Sequence, residues 1–225
     1  MLFILPNIQH VLNVLGSSKG VFLHAMLLTF ELTIVSILIG IIIGLIFALL
    51  KLSNVKPLGY ISDIYIYLVR GTPLIVQIFI LYFGISGIFL IPDFWAAALA
   101  LAFHNGAYIA EIFRGTIQSI DKGQMEAGRS LGMTKAMTMR RIILPQAFRR
   151  ALPPLGNQFI IGLKDSSLAA FISMNELFNV ATTLGSNNFD EMTYLIIVAI
   201  YYLILVAILT IVVKVLETRL TVSDR

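Results

Sequence analysis

No cysteine occurs among the 225 residues, which excludes disulfides, thiolate metal sites and cysteine nucleophiles together. Charge is scarce as well: Asp, Glu, Lys and Arg make up 12% of the chain, against about 25% in soluble domains. No G-x-x-x-x-G-K-S/T string is present, so the chain carries no phosphate-binding loop of its own. Internal repeats of the kind that mark many secondary transporters are missing too. What fills the sequence is apolar, 58% of residues, and the mean hydropathy is +0.92. A water-soluble domain is excluded, and the chain reads as one all-α integral membrane unit. A net charge of +4 matters in such a protein by where the bases fall, and no nucleic-acid partner is expected.

Apolar runs of about 17 to 25 residues or longer give five expected transmembrane helices: 21–50, 61–91, 94–113, 151–172 and 192–216. The first two exceed a straight crossing, so tilt, a kink or an interfacial extension must absorb the excess. Arg70-Gly71-Thr72-Pro73 marks a break in the second, because Pro73 lacks a backbone donor and disfavours helix at Thr72. Carbonyls upstream of that break lose their partners. Gly40 and Gly44, with the small residues Ala96, Ala100, Gly106, Ala107 and Ala110, predict close helix packing. Residues 1–20 read as an extracytoplasmic interfacial segment with Ile8, Leu12 and Leu15 on one face. Residues 21–217 form the transmembrane domain and 218–225 a tail.

Between the third and fourth runs, Arg114, Lys122, Arg129, Lys135, Arg140, Arg141, Arg149 and Arg150 crowd one loop, with only Asp121 and Glu126 against them. By the positive-inside rule this loop is cytoplasmic. Lys51 and Lys56 then lie inside, as do Lys214, Arg219 and Arg225 of the C-terminal end. The opposite loops carry Asp93, Glu176, Asp190 and Glu191 without Lys or Arg, which places the N-terminus outside. The loop, about 115–148, is too long for a turn and too apolar for disorder. Met125, Leu131 and Met133 among the bases predict short helices lying against something, either anionic lipid or a protein partner.

Within that loop Glu126, Ala127 and Gly132, then nine residues, then Ile142 and Leu144-Pro145 resemble the EAA signature of permease subunits of type-1 ABC importers. Arg70-Gly71-Thr72-Pro73-Leu74, Gly106-Ala107-Tyr108, Gly123-Gln124 and Lys164-Asp165-Ser166-Ser167-Leu168 are similar to the polar amino acid branch of that family. The likeness covers roughly residues 25 to 217. It implies a permease of an ATP-driven polar amino acid importer in a bacterial inner or plasma membrane, paired with a second copy or a paralogue. It also implies a cytoplasmic ATP-binding subunit that holds the ATP and Mg, and an extracytoplasmic substrate-binding protein. The chain is then not an enzyme and binds no cofactor itself. Glu126, Ala127, Gly132, Ile142, Leu144 and Pro145 belong, by the resemblance, to the ATPase-coupling element. Gly132 is expected to turn between two short helices, Pro145 to set the start of the fourth span, and Glu126 to make a polar contact or cap. Gly128 departs from the family's preferred Ala, and its helix propensity, lower by about 1 kcal/mol, is expected to loosen the element.

Polar groups inside apolar spans are costly and mark function by default. Glu31 lies about 16 Å into the first span, and Arg70 is expected to snorkel and cap carbonyls at the break. Lys164 to Ser167 interrupt the fourth run, which exposes helix ends of the kind that bind zwitterions. Thr72, Pro73, Gln77, Asn157 and Asp165 are the expected substrate pathway, with Asp165 near the amine. His104 and Glu111, seven apart, share a face, yet no further ligands stand at suitable spacing and no metal is expected. His10 and His24 read as solvated. The alternative function is a stand-alone secondary transporter of small polar solutes; a lipid-acting enzyme lacks a converging triad or ligand cluster.

Overall fold

The structure, a computed structural model, describes residues 6–53, 55–86 and 91–221. Residues 1–5 of the N-terminal segment, 87–90 of the second apolar run and 222–225 with Arg225 lie outside it, as does the side chain of Arg219. All regular structure among the described residues is helical: α1 (Ile8–Lys51), α2 (Lys56–Gly71), α3 (Leu74–Ser86), α4 (Asp93–Gln118), α5 (Lys122–Ser130), α6 (Lys135–Thr138), α7 (Leu144–Asp165), α8 (Leu177–Asn188) and α9 (Glu191–Thr221). A π-helical turn, Met139–Ile143, leads into α7, and a 3₁₀ segment, Ser166–Ile172, follows it. Three helices, α1, α4 and α9, are long and apolar enough to cross a membrane, and the bent pair α2–α3 makes a fourth if it counts as one span. The protein is a multi-pass helical membrane protein.

α1 runs 44 residues without interruption, so the segment 8–20 is the same helix as the first span. Asn7 caps it by accepting from the backbone of Gln9 at 3.1 Å. Its centre lies against α4, as the small residues predict: a Cβ at Gly44 would stand 2.6 Å from Ile109 Cγ2, and one at Gly40 3.2 Å from the Ala102 carbonyl. Ala96, Ala97, Ala98, Ala100, Ala102, Ala107 and Ala110 of α4 are all buried. Buried Thr29, Thr33 and Ser36 need no neighbour's acceptor, because each donates to a carbonyl of its own helix.

The break falls where Pro73 predicts it, and α2 and α3 meet at 105°. Farther on, Pro153 and Pro154 sit inside α7. Beyond them Gly156 lets α9 approach, since a Cβ there would stand 2.5 Å from Val213 Cγ1. The polar run from Lys164 converts α-helix to 3₁₀: Ser166 and Ser167 donate to the carbonyls of Leu163 and Lys164, both at 2.7 Å. Ser173, at φ 63°, ends the segment in the left-handed region.

Residues 177–188, expected as loop, are helical. Glu176, counted with the outer loop charges, is fully buried at the head of α8, where its carboxyl accepts from the backbones of Phe178 at 2.9 Å and Asn179 at 2.6 Å. Tyr202 of α9 donates to it at 3.0 Å, and Thr29 of α1 accepts from the Leu177 backbone at 3.0 Å. One helix start thereby joins three elements.

His10 is not merely solvated: its Nε2 lies 2.7 Å from Asp190 Oδ2, tying the N-terminal part of α1 to the α8–α9 turn. Partial burial pushes the Asp190 carboxyl up, but hydrogen bonds from His10 and the Thr193 backbone outweigh it and hold the group below the usual carboxylate range. A lowered carboxyl contributes stability above its unfolded value, about pH 4, and loses it as pH falls through the folded value. Thermal melts should therefore separate the original chain from Asp190→Asn above about pH 4 and draw together as the pH falls well below it, through the folded value; a gap that persists there would contradict the assignment.

Candidate functional site

The bend between α2 and α3 exposes carbonyls that have lost their helical partners, and two expected pathway residues take them. Thr72 donates to the Leu68 carbonyl at 2.8 Å. Gln77, one turn into α3, folds back and donates through Nε2 to the carbonyls of Val69 at 2.7 Å and Thr72 at 3.1 Å, and to Thr72 Oγ1 at 3.0 Å. Pro73 supplies the first carbonyl of α3, accepting from Val76 and Gln77. Among the described residues Arg70 caps no carbonyl at the bend. Its guanidinium lies over the ring of Tyr108, 5.1 Å from the centroid, a cation–π contact.

Opposite the bend, α4 presents a polar stripe. His104, Tyr108 and Glu111 recur at helical spacing on one side of an otherwise apolar helix. His104 Nδ1 lies 3.2 Å from Gln77 Oε1, and its ring centroid is 5.2 Å from that of Tyr108. Glu111 is held by Arg114 through paired contacts, Nε to Oε1 at 3.0 Å and Nη2 to Oε2 at 2.8 Å, and Arg114 also reaches Gln118 at 2.7 Å. So the two members of the rejected metal pair face different partners. Arg70, Thr72 and Pro73 remain exposed, while Gln77, His104 and Tyr108 are half-buried. A guanidinium, an aromatic face and an imidazole around a helix break can hold a polar solute by charge and hydrogen bonds.

Asn157 and Asp165 are not part of this group. Asn157 is exposed in a groove of about 280 Å³ between α7 and α9, with Thr210, Lys214 and Glu217. Its neighbour Gln158 points inward instead and donates to Asn105 Oδ1 at 2.8 Å, a buried clasp between α7 and α4. Asp165 is half-buried at the end of α7, beside Lys164, where the 3₁₀ segment begins. That segment does approach the bend, since Ala169 and Ile172 pack in one cluster with Leu74 and Ile78 of α3.

In the basic loop, Asp121 rather than Glu126 caps α5, accepting from Gly123 at 2.6 Å. Glu126 and Ala127 lie exposed in the middle of that helix. Gly132 turns the chain at φ 81°, a conformation that L side chains rarely adopt. Arg129 bridges this turn by donating to the Met133 carbonyl at 3.0 Å, and Thr134 caps α6 by accepting from Met137 at 3.2 Å. Gly128 does not simply loosen its helix. It is buried, and a Cβ there would stand 2.6 Å from Thr138 Cγ2, so the glycine is what lets α5 and α6 touch. Ile143 is buried with Ile117, Ile120 and Ala147, while Ile142 and Leu144 are half-buried and Pro145, in the first turn of α7, is exposed. Leu131 stands 81% exposed at the end of α5.

Residues 40–222 match the family model described as the binding-protein-dependent transport system inner membrane component. The L-cystine transport system permease protein TcyB of Bacillus subtilis (strain 168) is 43% identical over 194 residues, 85% of this chain and 83% of the relative. The arginine transport system permease protein ArtQ of the same organism is 37% identical over 204 residues, 90% of this chain and 93% of the relative. For the glutamine transport system permease protein GlnP of Escherichia coli (strain K12) the figures are 40% over 167 residues, 73% and 76%. The crystal structure of an amino acid ABC transporter with histidines superposes with a TM-score of 0.84 at 38% identity, covering 92% of this chain and 97% of that one. An inward-facing MetNI methionine ABC transporter, at 20% identity and a TM-score of 0.80, shares the fold. With the family model and these relatives spanning most of its length, the chain belongs to the inner membrane components of binding-protein-dependent transport systems.

Proposed function

We propose that this chain is the permease subunit of an ATP-driven importer of a polar amino acid, forming the translocation pathway with a second copy or a paralogue. The observation that carries this reading is its 37–43% identity, over most of its length, to permeases named for cystine and arginine. The five spans of the reading are α1, the bent pair α2–α3, α4, α7 with its 3₁₀ continuation, and α9. The permease domain is 21–217, flanked by an extracytoplasmic segment, 1–20, and a cytoplasmic tail, 218–225. The basic residues of the loop at about 115–148 support its cytoplasmic side and an outer N-terminus. Solute passes beside Thr72, Pro73 and Gln77, with Asp165 near the path; Asn157, in its groove against α9, supports the pathway less directly.

Coupling runs through Glu126, Ala127, Gly132, Ile142, Leu144 and Pro145. The caps at Asp121 and Thr134 and the Gly132 turn hold α5 and α6 in shape without a partner, so little ordering cost falls on docking. Exposed Leu131, beside exposed Glu126 and Ala127, offers an apolar contact to a separate cytoplasmic ATPase that binds ATP and Mg. An external binding protein delivers the substrate. Purification of tagged chain from membranes should bring the ATPase with it, and Leu131→Glu should weaken that association roughly tenfold or more, the scale of one buried Leu, at unchanged melting temperature. Absence of any ATPase from the intact, folded original would sink the reading and bring the stand-alone transporter forward.

A further inference from the structure

The orientation of the Gln77 amide is decided by its neighbours. The end facing the Val69 and Thr72 carbonyls must be the nitrogen, because carbonyl oxygens only accept. The other end, Oε1, is then an acceptor held 3.2 Å from His104 Nδ1, and Nδ1 must carry the proton between them. The neutral imidazole therefore keeps a lone pair on Nε2. Among the described residues no group donates to that nitrogen. The same ring leans on Tyr108, whose face also meets the Arg70 guanidinium. A fixed cation and a fixed lone pair thus both adjoin Tyr108 beside the helix break, a pairing of opposite demands that suits the carboxylate and ammonium of a free amino acid.

We propose that His104 is a specificity-determining residue of the pathway, accepting through Nε2 a hydrogen bond from the solute's ammonium, with Gln77 as the positioning residue that fixes the ring. This rests on the reading that the α2–α3 bend lines the pathway. The geometry assigns Gln77 a different task from direct contact: its amide is fully engaged with backbone and with His104, so it shapes the site without touching the solute.

Two measurements test this on the permease–ATPase complex purified without binding protein. The chain has three histidines, so uniform ¹⁵N-histidine labelling, with the His104→Asn variant to identify the lost signal, reports the His104 tautomer directly. The expected spectrum shows a protonated Nδ1 and a bare Nε2 in the original, reverting toward the Nε2-protonated form in Gln77→Leu. Equilibrium binding of each of the twenty amino acids is then measured. His104→Phe should weaken the best binder roughly ten- to hundredfold, the scale of a hydrogen bond to a charged group, and Gln77→Leu should weaken it less while shifting the tautomer. An Nε2-protonated ring in the original, no amino acid bound, or His104→Phe binding as the original does would each overturn the proposal. If those failures occur while the ATPase still co-purifies, the permease reading stands; if the ATPase is also missing, that reading falls with it.

Discussion

Replacing Glu176 by alanine will destabilise the protein by about 2–4 kcal/mol, a fall of roughly 5–15 °C in melting temperature for a chain of this size. The carboxyl is fully buried and satisfies three donors at once: the backbones of Phe178 and Asn179 and the hydroxyl of Tyr202. Alanine leaves all three without a partner at a site that water does not reach, and leaving donors unmet costs more than the bonds contribute net. Glu176→Gln keeps acceptor capacity and should lose about half as much. Tyr202→Phe removes one donor together with its bond and should lose least, about 1 kcal/mol. Melting in detergent or nanodiscs ranks the three; equal melting temperatures for alanine and the original would show that α8 starts without its cap. The effect reaches beyond α8, because Thr29 of α1 accepts from the next backbone N–H, at Leu177.

Gly128→Ala should impair coupling although alanine is the better helix former by about 1 kcal/mol. The added methyl would stand 2.6 Å from Thr138 Cγ2 and 2.8 Å from its Oγ1. Thr138 cannot easily yield, being fully buried with its hydroxyl bonded to the Thr134 carbonyl at 3.1 Å. Overpacking of this kind costs about 1–3 kcal/mol and outweighs the propensity gain, so α5 and α6 move apart. In proteoliposomes holding the whole transporter, Gly128→Ala should cut binding-protein-stimulated ATP hydrolysis roughly tenfold, the scale of 1.4 kcal/mol. Adding Thr138→Ala should restore most of it by making room. Failure of the second substitution to rescue would mean that the two helices are not held by this contact.

What could be read in the sequence was what local chemistry decides. The break at Thr72-Pro73 rests on residues adjacent in the chain. Close packing follows from the small residues Gly40 and Gly44, whereas their neighbour, α4, does not. What could not be read depended on residues distant in the chain. Glu176 reads as a loop charge because Tyr202, which donates to it, lies on another helix, and Leu177–Asn188 reads as loop because it is short and rich in Asn and Thr. Gln77 was recognisable as a polar group at the break, but its turn back onto Val69, and hence the state of His104, appears only with the 105° bend in place. The choice between Asn157 and Gln158 is one of helix phase. The adjacent Pro153 and Pro154 weaken any phase argument carried through them.

The unbroken length of α1 has a mechanical consequence. Forty-four residues at 1.5 Å each make a rod of about 66 Å, fastened near its N-terminal end by His10 to Asp190 and at its C-terminal end by Lys51 to Asp63 of α2. Between them, Gly40 and Gly44 seat it on α4, and no break interrupts the helix. A stiff beam with a pivot about three-quarters of the way along it swings its two ends in opposite directions. Any rocking of α1 on α4 must therefore pull on the α8–α9 turn at one end while it pushes α2, and with it the bend at Thr72, at the other.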